Sequence, residues 1–474
     1  MGEPDLDEIW SVSAEWCVEN NVDLRSSVRA SRIDLGTLAV TLEDGDVLPA
    51  DAVLIATGVR PRHLSGVTST RVQYLKTLED AAEIRAALLP GARVAIVGGG
   101  FIGLEAAAAA RTRGSAVTLF EAGATPLAHI LGDRVGSIVA DMHRQQGVDI
   151  RAGVRIDAIE DEANGVRLTA SDGTVLTADI VVVGIGVVPN DEIARASEIT
   201  VGNGIRVDQF CRTSGPGVFA AGDVANHYHP GIDSRVRVEH FDNATRQAMV
   251  AARNMLGERV EYSDVHWFWS DQYDHNLQFV GHSAGYDRIV FRGRPEEFDF
   301  AAFYMKKDHI VAAFGIDRGG DIMVAKTLIA EKRPMADAVL ADDEIDLSEM
   351  AFAIEETVVD TPATALSIED PNYKRVARSG QVPDGVVRRF VIEGVELAVA
   401  RSEGKIYALH NLCTHLSCRL TAGKVESGGL TCLCHGSIFE LATGIPINPP
   451  ATKRVRTFPI IEQNGQIFVR VTDS

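Results

Sequence analysis

The sequence predicts an α/β fold with parallel strands, closed by a small all-β module at its C-terminal end. Three observations carry this. A G-x-G-x-x-G pattern at Gly98, Gly100 and Gly103 lies between a short apolar run, Val94 to Val97, and an alanine-rich helical segment. Further apolar runs in "AVLIATGVRPR", "IVVVGIGVVPN" and "GVFAAGDVA" each stop at glycine, as strands buried on both faces do. The last hundred or so residues alternate short strands and turns, as in "RFVIEGVELAVARSEGKIYALHN".

The first observation specifies chemistry. In "ARVAIVGGGFIGLEAAAAARTRGSAVTLFEAG" a strand, a glycine turn, a helix and a second strand follow in order, the Rossmann-like βαβ unit that binds dinucleotides. Gly98 allows the tight turn, Gly100 lets backbone approach a pyrophosphate, and Gly103 lets the helix pack closely. The second strand, "AVTLFE", ends at Glu121, near the offset at which a carboxylate accepts from a ribose 2′-hydroxyl. That carboxylate would repel a 2′-phosphate, and no arginine follows in "AGATPLAH". The expected coenzyme is therefore NADH rather than NADPH. "AVLIATGVRPR" and "IVVVGIGVVPN" echo each other, as two nucleotide-binding halves of one chain would. Gly186 in the second, with Thr57 and Gly58 in the first, mark the loops after the strands.

Four of the six cysteines fall between Cys413 and Cys434. Cys413 and His415 form one short ligand pair, Cys432 and His435 another, with residues 416–431 between them. Two thiolates and two imidazoles suit either a structural zinc or a Rieske cluster. Each pair offers one ligand of each kind, which favours a cluster whose one iron takes sulfur and whose other takes nitrogen. The remaining two, Cys17 and Cys211, are isolated and read as small core residues.

The stretch "CTHLSCRLTAGKVESGGLTCLCHGSIFE" as a whole resembles the Rieske family, in its disulfide-bearing branch. The resemblance implies that Cys413, His415, Cys432 and His435 hold a 2Fe–2S cluster and that Cys418 and Cys434 bridge the two loops. It also implies a hydrogen bond from Ser437 to a cluster sulfur, which raises the reduction potential. Phe439 stands where that branch usually carries tyrosine, so a second such bond is lost. "TGIPINPP" is similar to the loop that covers the cluster in that family, with a plain surface turn as the alternative.

Composition excludes other classes. A net charge of −20 argues against nucleic acid or an anionic membrane as partner. No apolar run reaches the length of a membrane span, and the acidic start "MGEPDLDEIW" has no signal-peptide core, so a cytoplasmic location is expected. A disulfide is unusual there, which leaves a shielded bridge and a reduced Cys418–Cys434 pair both open.

The order of these strands around the G-x-G-x-x-G, together with "VRVEHFDNATRQAMVAARNMLG", "VHWFWSDQYDHNLQFVG" and "YDRIVFRG", resembles a flavoprotein family with two dinucleotide-binding domains. Within it, the chain is similar to the ferredoxin reductases of bacterial oxygenase systems (putidaredoxin-reductase-like) and to apoptosis-inducing-factor-like proteins. The resemblance implies an FAD-binding domain at residues 1–78 and 204–262, an NAD-binding domain at 79–203, an α+β reductase C-terminal domain at 263–352, a linker at 353–373 and the Rieske domain at 374–474. It implies that Val28, Thr57, Gly58, Lys76, Gly222, Asp223 and Phe241 touch FAD, Lys76 replacing the usual arginine. Trp269 is implied near the flavin and Glu105, in "GLE", near the nicotinamide. Nothing before Glu15 resembles the FAD fingerprint, so an FAD domain short of at least one βαβ unit, about 30 residues or more, is expected.

The function so implied is that of an NADH:ferredoxin-type oxidoreductase. Electrons would pass from NADH through FAD to the chain's own cluster, and on to a Rieske oxygenase or another acceptor. Two other readings remain: an NADH-binding redox sensor or assembly protein of apoptosis-inducing-factor-like type, and a fragment that binds NAD and the cluster but not FAD.

Overall fold

The computed structural model describes residues 12–347, 372–392, 394–415, 419–426, 428–432, 437–448 and 451–471. They fall into two compact units, residues 1–60 with 187–264 and residues 61–186 with 265–474.

In the first unit, a three-stranded antiparallel sheet (Ala30–Asp34, Ala39–Leu42, Val47–Leu48) precedes a parallel pair, Val53–Ile55 with Val218–Ala220. The second strand of that pair is buried along its whole length, which is why its sequence shows no polar alternation. A four-stranded sheet adds to a core of Ile33, Ile55, Ile205, Val218 and Val224, and the helix Phe241–Met255 joins a second one through Ala251, with Cys211, Phe219, Ala221 and Tyr262. The two echoing segments meet here. The Asn190 N–H donates to the Gly58 carbonyl at 3.0 Å, and the Asn190 side chain donates to the Thr57 carbonyl at 2.8 Å.

The second unit is built on a five-stranded parallel sheet in the order Val72–Tyr74, Ile180–Val183, Arg93–Val97, Ala116–Glu121, Asp149–Ala152. Residues 61–78, grouped by the sequence with the first domain, thus place a strand on the edge of this sheet. The helix Phe101–Thr112 crosses between two of the strands, with Ala106, Ala107, Ala108 and Ala110 buried. Small side chains let it lie close to the sheet.

A five-stranded antiparallel sheet follows, ordered Trp267–Gln272, His275–Gly281, His309–Ile316, Asp299–Lys306, Arg288–Arg294. Its first strand packs on the helix Phe101–Thr112 within one apolar core that holds Leu104, Phe268, Phe279 and Tyr304. The rings of Phe101 and Phe268 meet edge to face with centroids 4.8 Å apart, a favoured aromatic geometry.

The C-terminal module is all-β. Its described strands form three antiparallel sheets between Tyr373 and Arg470. "TGIPINPP" supplies an edge strand, Pro446–Asn448, paired with Ile438–Glu440. Proline opens that strand, where its missing N–H costs no ladder bond. Residues 348–371, which carry most of the expected linker, lie outside the described residues, as do His435, Cys418 and Cys434. Among the described residues no helix is long and apolar enough to cross a membrane.

Candidate functional site

The glycine turn is packed so tightly that two of its three positions admit only glycine. Gly98 has φ +106°, and a Cβ there would lie 2.3 Å from the Gly184 carbonyl oxygen. A Cβ on Gly103 would lie 2.0 Å from the Gly98 carbonyl oxygen. Gly100 differs: the nearest protein atom to a Cβ there is 4.0 Å away, so this position faces open space. Gly100 is also the N-cap of the helix Phe101–Thr112 and makes no side-chain capping bond. The first helical N–H groups are thereby offered to an anion over a surface without side chains. That arrangement fits a pyrophosphate.

Glu121 is fixed across the same turn. One carboxylate oxygen accepts from the Gly99 N–H at 2.6 Å and the other from the Gly123 N–H at 2.5 Å. Each oxygen keeps a further lone pair for an incoming hydroxyl. Gly186, φ +94°, lies beyond the buried strand Ile180–Val183, and its carbonyl accepts from the Arg62 N–H at 2.9 Å. Glu105, on the helix, is mostly buried and accepts a hydrogen bond from the Ser270 hydroxyl. Burial pushes the Glu105 carboxyl up, the Ser270 bond opposes that shift, and the charge of Asp271 adds to it.

The residues matched to FAD occupy both units. In the first, the Thr57 hydroxyl donates to the Asn190 carbonyl at 2.6 Å, and Gly58 has φ +63°. Gly222, φ +76°, begins a tight turn that carries Asp223. Its N–H donates at 2.8 Å to the buried Gln247, which comes from the helix that starts at Phe241. Val28 and Phe241 are large apolar side chains left 41% and 72% exposed, as suits groups that a flat cofactor would cover. In the second unit, the Lys76 N–H donates at 2.9 Å to Asp80, which closes the capping box of the next helix. Trp269 is 38% exposed and stacks on buried Trp267 with centroids 5.0 Å apart.

In the C-terminal module, Cys413 and Cys432 are buried and His415 is half-buried. Among the described residues no three cysteine, histidine or carboxylate side chains gather to hold a metal ion. The second histidine of the set, His435, and the cysteines 418 and 434 lie outside those residues. The donors that are described, two soft, buried thiols and an imidazole, are of the kinds that fit an iron–sulfur cluster. Ser437 is fully buried. Its oxygen accepts from the Ala451 N–H at 2.9 Å, which leaves the hydroxyl proton as the donor end of the group, and its carbonyl accepts from the Cys432 N–H at 2.7 Å.

The first loop is braced from below by residues that spacing did not mark. Buried Asn411 accepts from the Leu420 and Thr421 N–H groups at 2.7 and 2.9 Å, and donates to Glu396 at 3.1 Å. Arg389 and Arg419 also reach Glu396, at 2.7 and 3.2 Å. Burial works against the charge on Glu396, yet the bonds from Arg419, Asn411 and Arg389 hold its carboxyl below the usual range. Ser270, Gln272, His143 and Gln247 were likewise missed. Ser270 and Gln272 did carry a signal, being polar at the alternate positions that continue the buried face begun by Phe268.

Comparison with known proteins agrees with this geometry. Residues 8–248 match the pyridine nucleotide-disulphide oxidoreductase family, residues 267–351 the reductase C-terminal family and residues 372–459 the Rieske 2Fe–2S domain. The chain is 40% identical over 337 residues to the ferredoxin–NAD(+) reductase component of the anthranilate 1,2-dioxygenase system of Burkholderia cepacia, covering 70% of this chain and 83% of that one. It is 37% identical over 341 residues to putidaredoxin reductase of Pseudomonas putida, covering 70% and 81%. Among solved structures, the covalent putidaredoxin reductase–putidaredoxin complex superposes with a TM-score of 0.71 at 34% identity, covering 74% of this chain and 86% of that one.

Proposed function

This chain belongs to the pyridine nucleotide-disulphide oxidoreductases, and on that premise we propose that it passes electrons from NADH through FAD to its own Rieske cluster and on to an oxygenase or another acceptor in the cytoplasm. When bound, FAD accepts the hydride and the 2Fe–2S cluster carries single electrons. The chain's own residues bind, orient and select.

The turn at Gly98, Gly100 and Gly103 seats the NADH pyrophosphate, and Glu121 accepts from the adenosine ribose. Glu105 faces the nicotinamide, where a carboxylate stabilises the positive ring left by hydride departure. In the first unit Val28, Thr57, Gly58, Gly222, Asp223 and Phe241 are the residues that would touch FAD, and in the second Lys76 and Trp269 are; Gly186 marks a cofactor-binding loop of the second unit. Cys413, His415, Cys432 and His435 ligate the cluster, Ser437 donates to it, and Cys418 and Cys434 bridge its loops.

The observation that supports this reading best is that the dinucleotide turn and the cluster cysteines share one chain and one compact unit. A continuous apolar core runs from Trp267 and Phe303 of the reductase sheet to Cys413, Cys432 and Phe439, and Arg419 beside the first loop pairs with Asp346. Donor and carrier held together act at high effective concentration.

The test is anaerobic addition of NADH to the purified chain. The flavin absorbance should bleach, and the electron paramagnetic resonance signal of a reduced Rieske cluster should follow it. Consumption of NADH with a silent cluster would move the assignment to the redox-sensor reading. A chain that purifies without flavin absorbance would move it to the NAD-and-cluster reading.

Coenzyme choice gives a second test. Glu121→Ala should reduce the preference for NADH over NADPH by about 1–3 kcal/mol, the worth of a hydrogen bond to a charged group. The measurement is the ratio of kcat/KM for the two coenzymes. A wild-type ratio near unity would contradict the role of Glu121.

A further inference from the structure

A chain of buried side chains runs away from Glu105. The Ser270 hydroxyl donates to the Glu105 carboxylate. The Gln272 amide nitrogen donates to the Ser270 oxygen at 2.9 Å. The Gln272 amide oxygen lies 2.8 Å from His143 Nε2, and His143 Nδ1 lies 2.9 Å from the Tyr273 hydroxyl. Ser270, Gln272 and His143 are essentially inaccessible to solvent, while Tyr273 is half-buried at the far end. The groups come from two helices of the dinucleotide domain, one strand of the antiparallel sheet and, for Tyr273, the turn after that strand, all in the second unit.

The polarity of this chain follows from its ends. An ionised Glu105 can only accept, so Ser270 must donate to it. Ser270 then accepts from the Gln272 nitrogen, which leaves the Gln272 oxygen as an acceptor. His143 must present Nε2–H to that oxygen, and its bare Nδ1 must accept from Tyr273. Every donor points the same way, from the half-buried tyrosine toward the carboxylate. Bonds aligned in this way polarise one another and strengthen the last one.

We propose that Tyr273, His143, Gln272 and Ser270 are positioning residues that form a one-way hydrogen-bond chain, holding Glu105 ionised and fixed for hydride transfer from NADH. The inference rests on the reading above only in the placement of Glu105 at the nicotinamide. The chain solves a physical problem. Glu105 is partly buried, and Asp271 adds a second negative charge nearby, so both effects favour the neutral acid. The oriented donors offset them. His143 suits its place because burial pushes its pKa down to about 4, with the Gln272 bond opposing, so it stays neutral and can present one donor and one acceptor. Burial also raises the Tyr273 hydroxyl and keeps it a donor, against the nearby charge of Arg111.

Two readouts test this on the full chain. In protein labelled with ¹⁵N-histidine, the His143 resonance, assigned by its loss in His143→Phe, should report the neutral Nε2–H tautomer at neutral pH. The second readout is the pH dependence of flavin reduction by NADH, followed by stopped flow, beside the infrared titration of the Glu105 carboxyl, assigned with Glu105→Gln. The ionised form is the active one, so the rate falls as pH drops through the Glu105 pKa.

Ser270→Ala removes a bond to that ionised form. It should therefore raise the pKa and move the acidic limb to higher pH, with a rate loss at neutral pH on the order of tenfold, the worth of one hydrogen bond. Gln272→Met and Tyr273→Phe should move the limb the same way by less, and the Ser270→Ala/Gln272→Met pair should cost little more than Ser270→Ala alone. Tyr273→Phe removes one hydroxyl from a half-buried site and guards against a folding artefact. An Nδ1–H or cationic His143 would overturn the proposal, as would Ser270→Ala protein with the wild-type carboxyl titration. A wild-type chain that fails to oxidise NADH would instead defeat the functional reading, because the tautomer and the carboxyl titration remain measurable without it.

Discussion

Cys432→Ser is expected to yield a chain that still oxidises NADH with a flavin-directed dye but has lost the Rieske electron paramagnetic resonance signal. Cys432 is fully buried at the end of the strand Gly429–Thr431, and its backbone is pinned to Ser437. The thiol therefore cannot be replaced by a neighbour without remaking the loop. A serine hydroxyl is a harder ligand that gives up its proton far less readily, so it cannot stand in for a thiolate on iron. Loss of a residue that merely orients a metal ligand typically costs about 10–100-fold in metal affinity, and loss of the ligand itself should exceed that. Iron content per chain, spin quantitation and dye-linked NADH oxidation make up the measurement. Zinc in the wild-type protein in place of iron, or an unchanged signal in Cys432→Ser, would refute the ligand assignment.

Gly103→Ala should give the largest loss of stability among changes at the dinucleotide turn. Alanine is the better helix former by about 1 kcal/mol, so propensity alone predicts a gain. The clash decides the sign. A Cβ at 103 would sit 2.0 Å from the Gly98 carbonyl oxygen and 3.3 Å from Ile96, and the first of these is backbone that cannot rotate aside. The helix must lift off the strand, at a cost of about 3 kcal/mol or more once the surrounding core is disturbed. Gly100→Ala is the matched control. Its nearest protein neighbour would be 4.0 Å away, so folding should be little affected while NADH binding weakens, because only the ligand's approach is obstructed. Urea unfolding and NADH titration of both variants separate the two effects. Wild-type stability in Gly103→Ala would mean that helix and strand are not packed as described.

The parts of this protein legible in its sequence are those whose chemistry is fixed within a few residues of chain. The turn at Gly98, Gly100 and Gly103 is one, because a tight turn, a close ligand approach and a close helix call for glycines at that spacing over six positions. The Rieske domain is another, since the type and spacing of Cys413, His415, Cys432 and His435 point to it. Glu121 also qualified, because strand length places it, and the structure holds it to Gly99 and Gly123 close by. The order of the apolar strands was readable because strands buried on both faces lack polar alternation.

Contacts between distant positions were decided by tertiary structure alone. Glu105 and Ser270 are 165 residues apart, and His143 and Gln272 are 129 apart. Asn190 ties back to Thr57 across 133 positions, and Glu396 gathers Asn411 and Arg419 from 15 and 23 residues away. No periodicity links such pairs. They exist because an antiparallel sheet packs on one particular helix, and because a loop must satisfy its buried polar groups with whatever the fold brings near. A hydrogen bond across that distance is specified by the packing of everything between its partners, and local sequence holds no record of it.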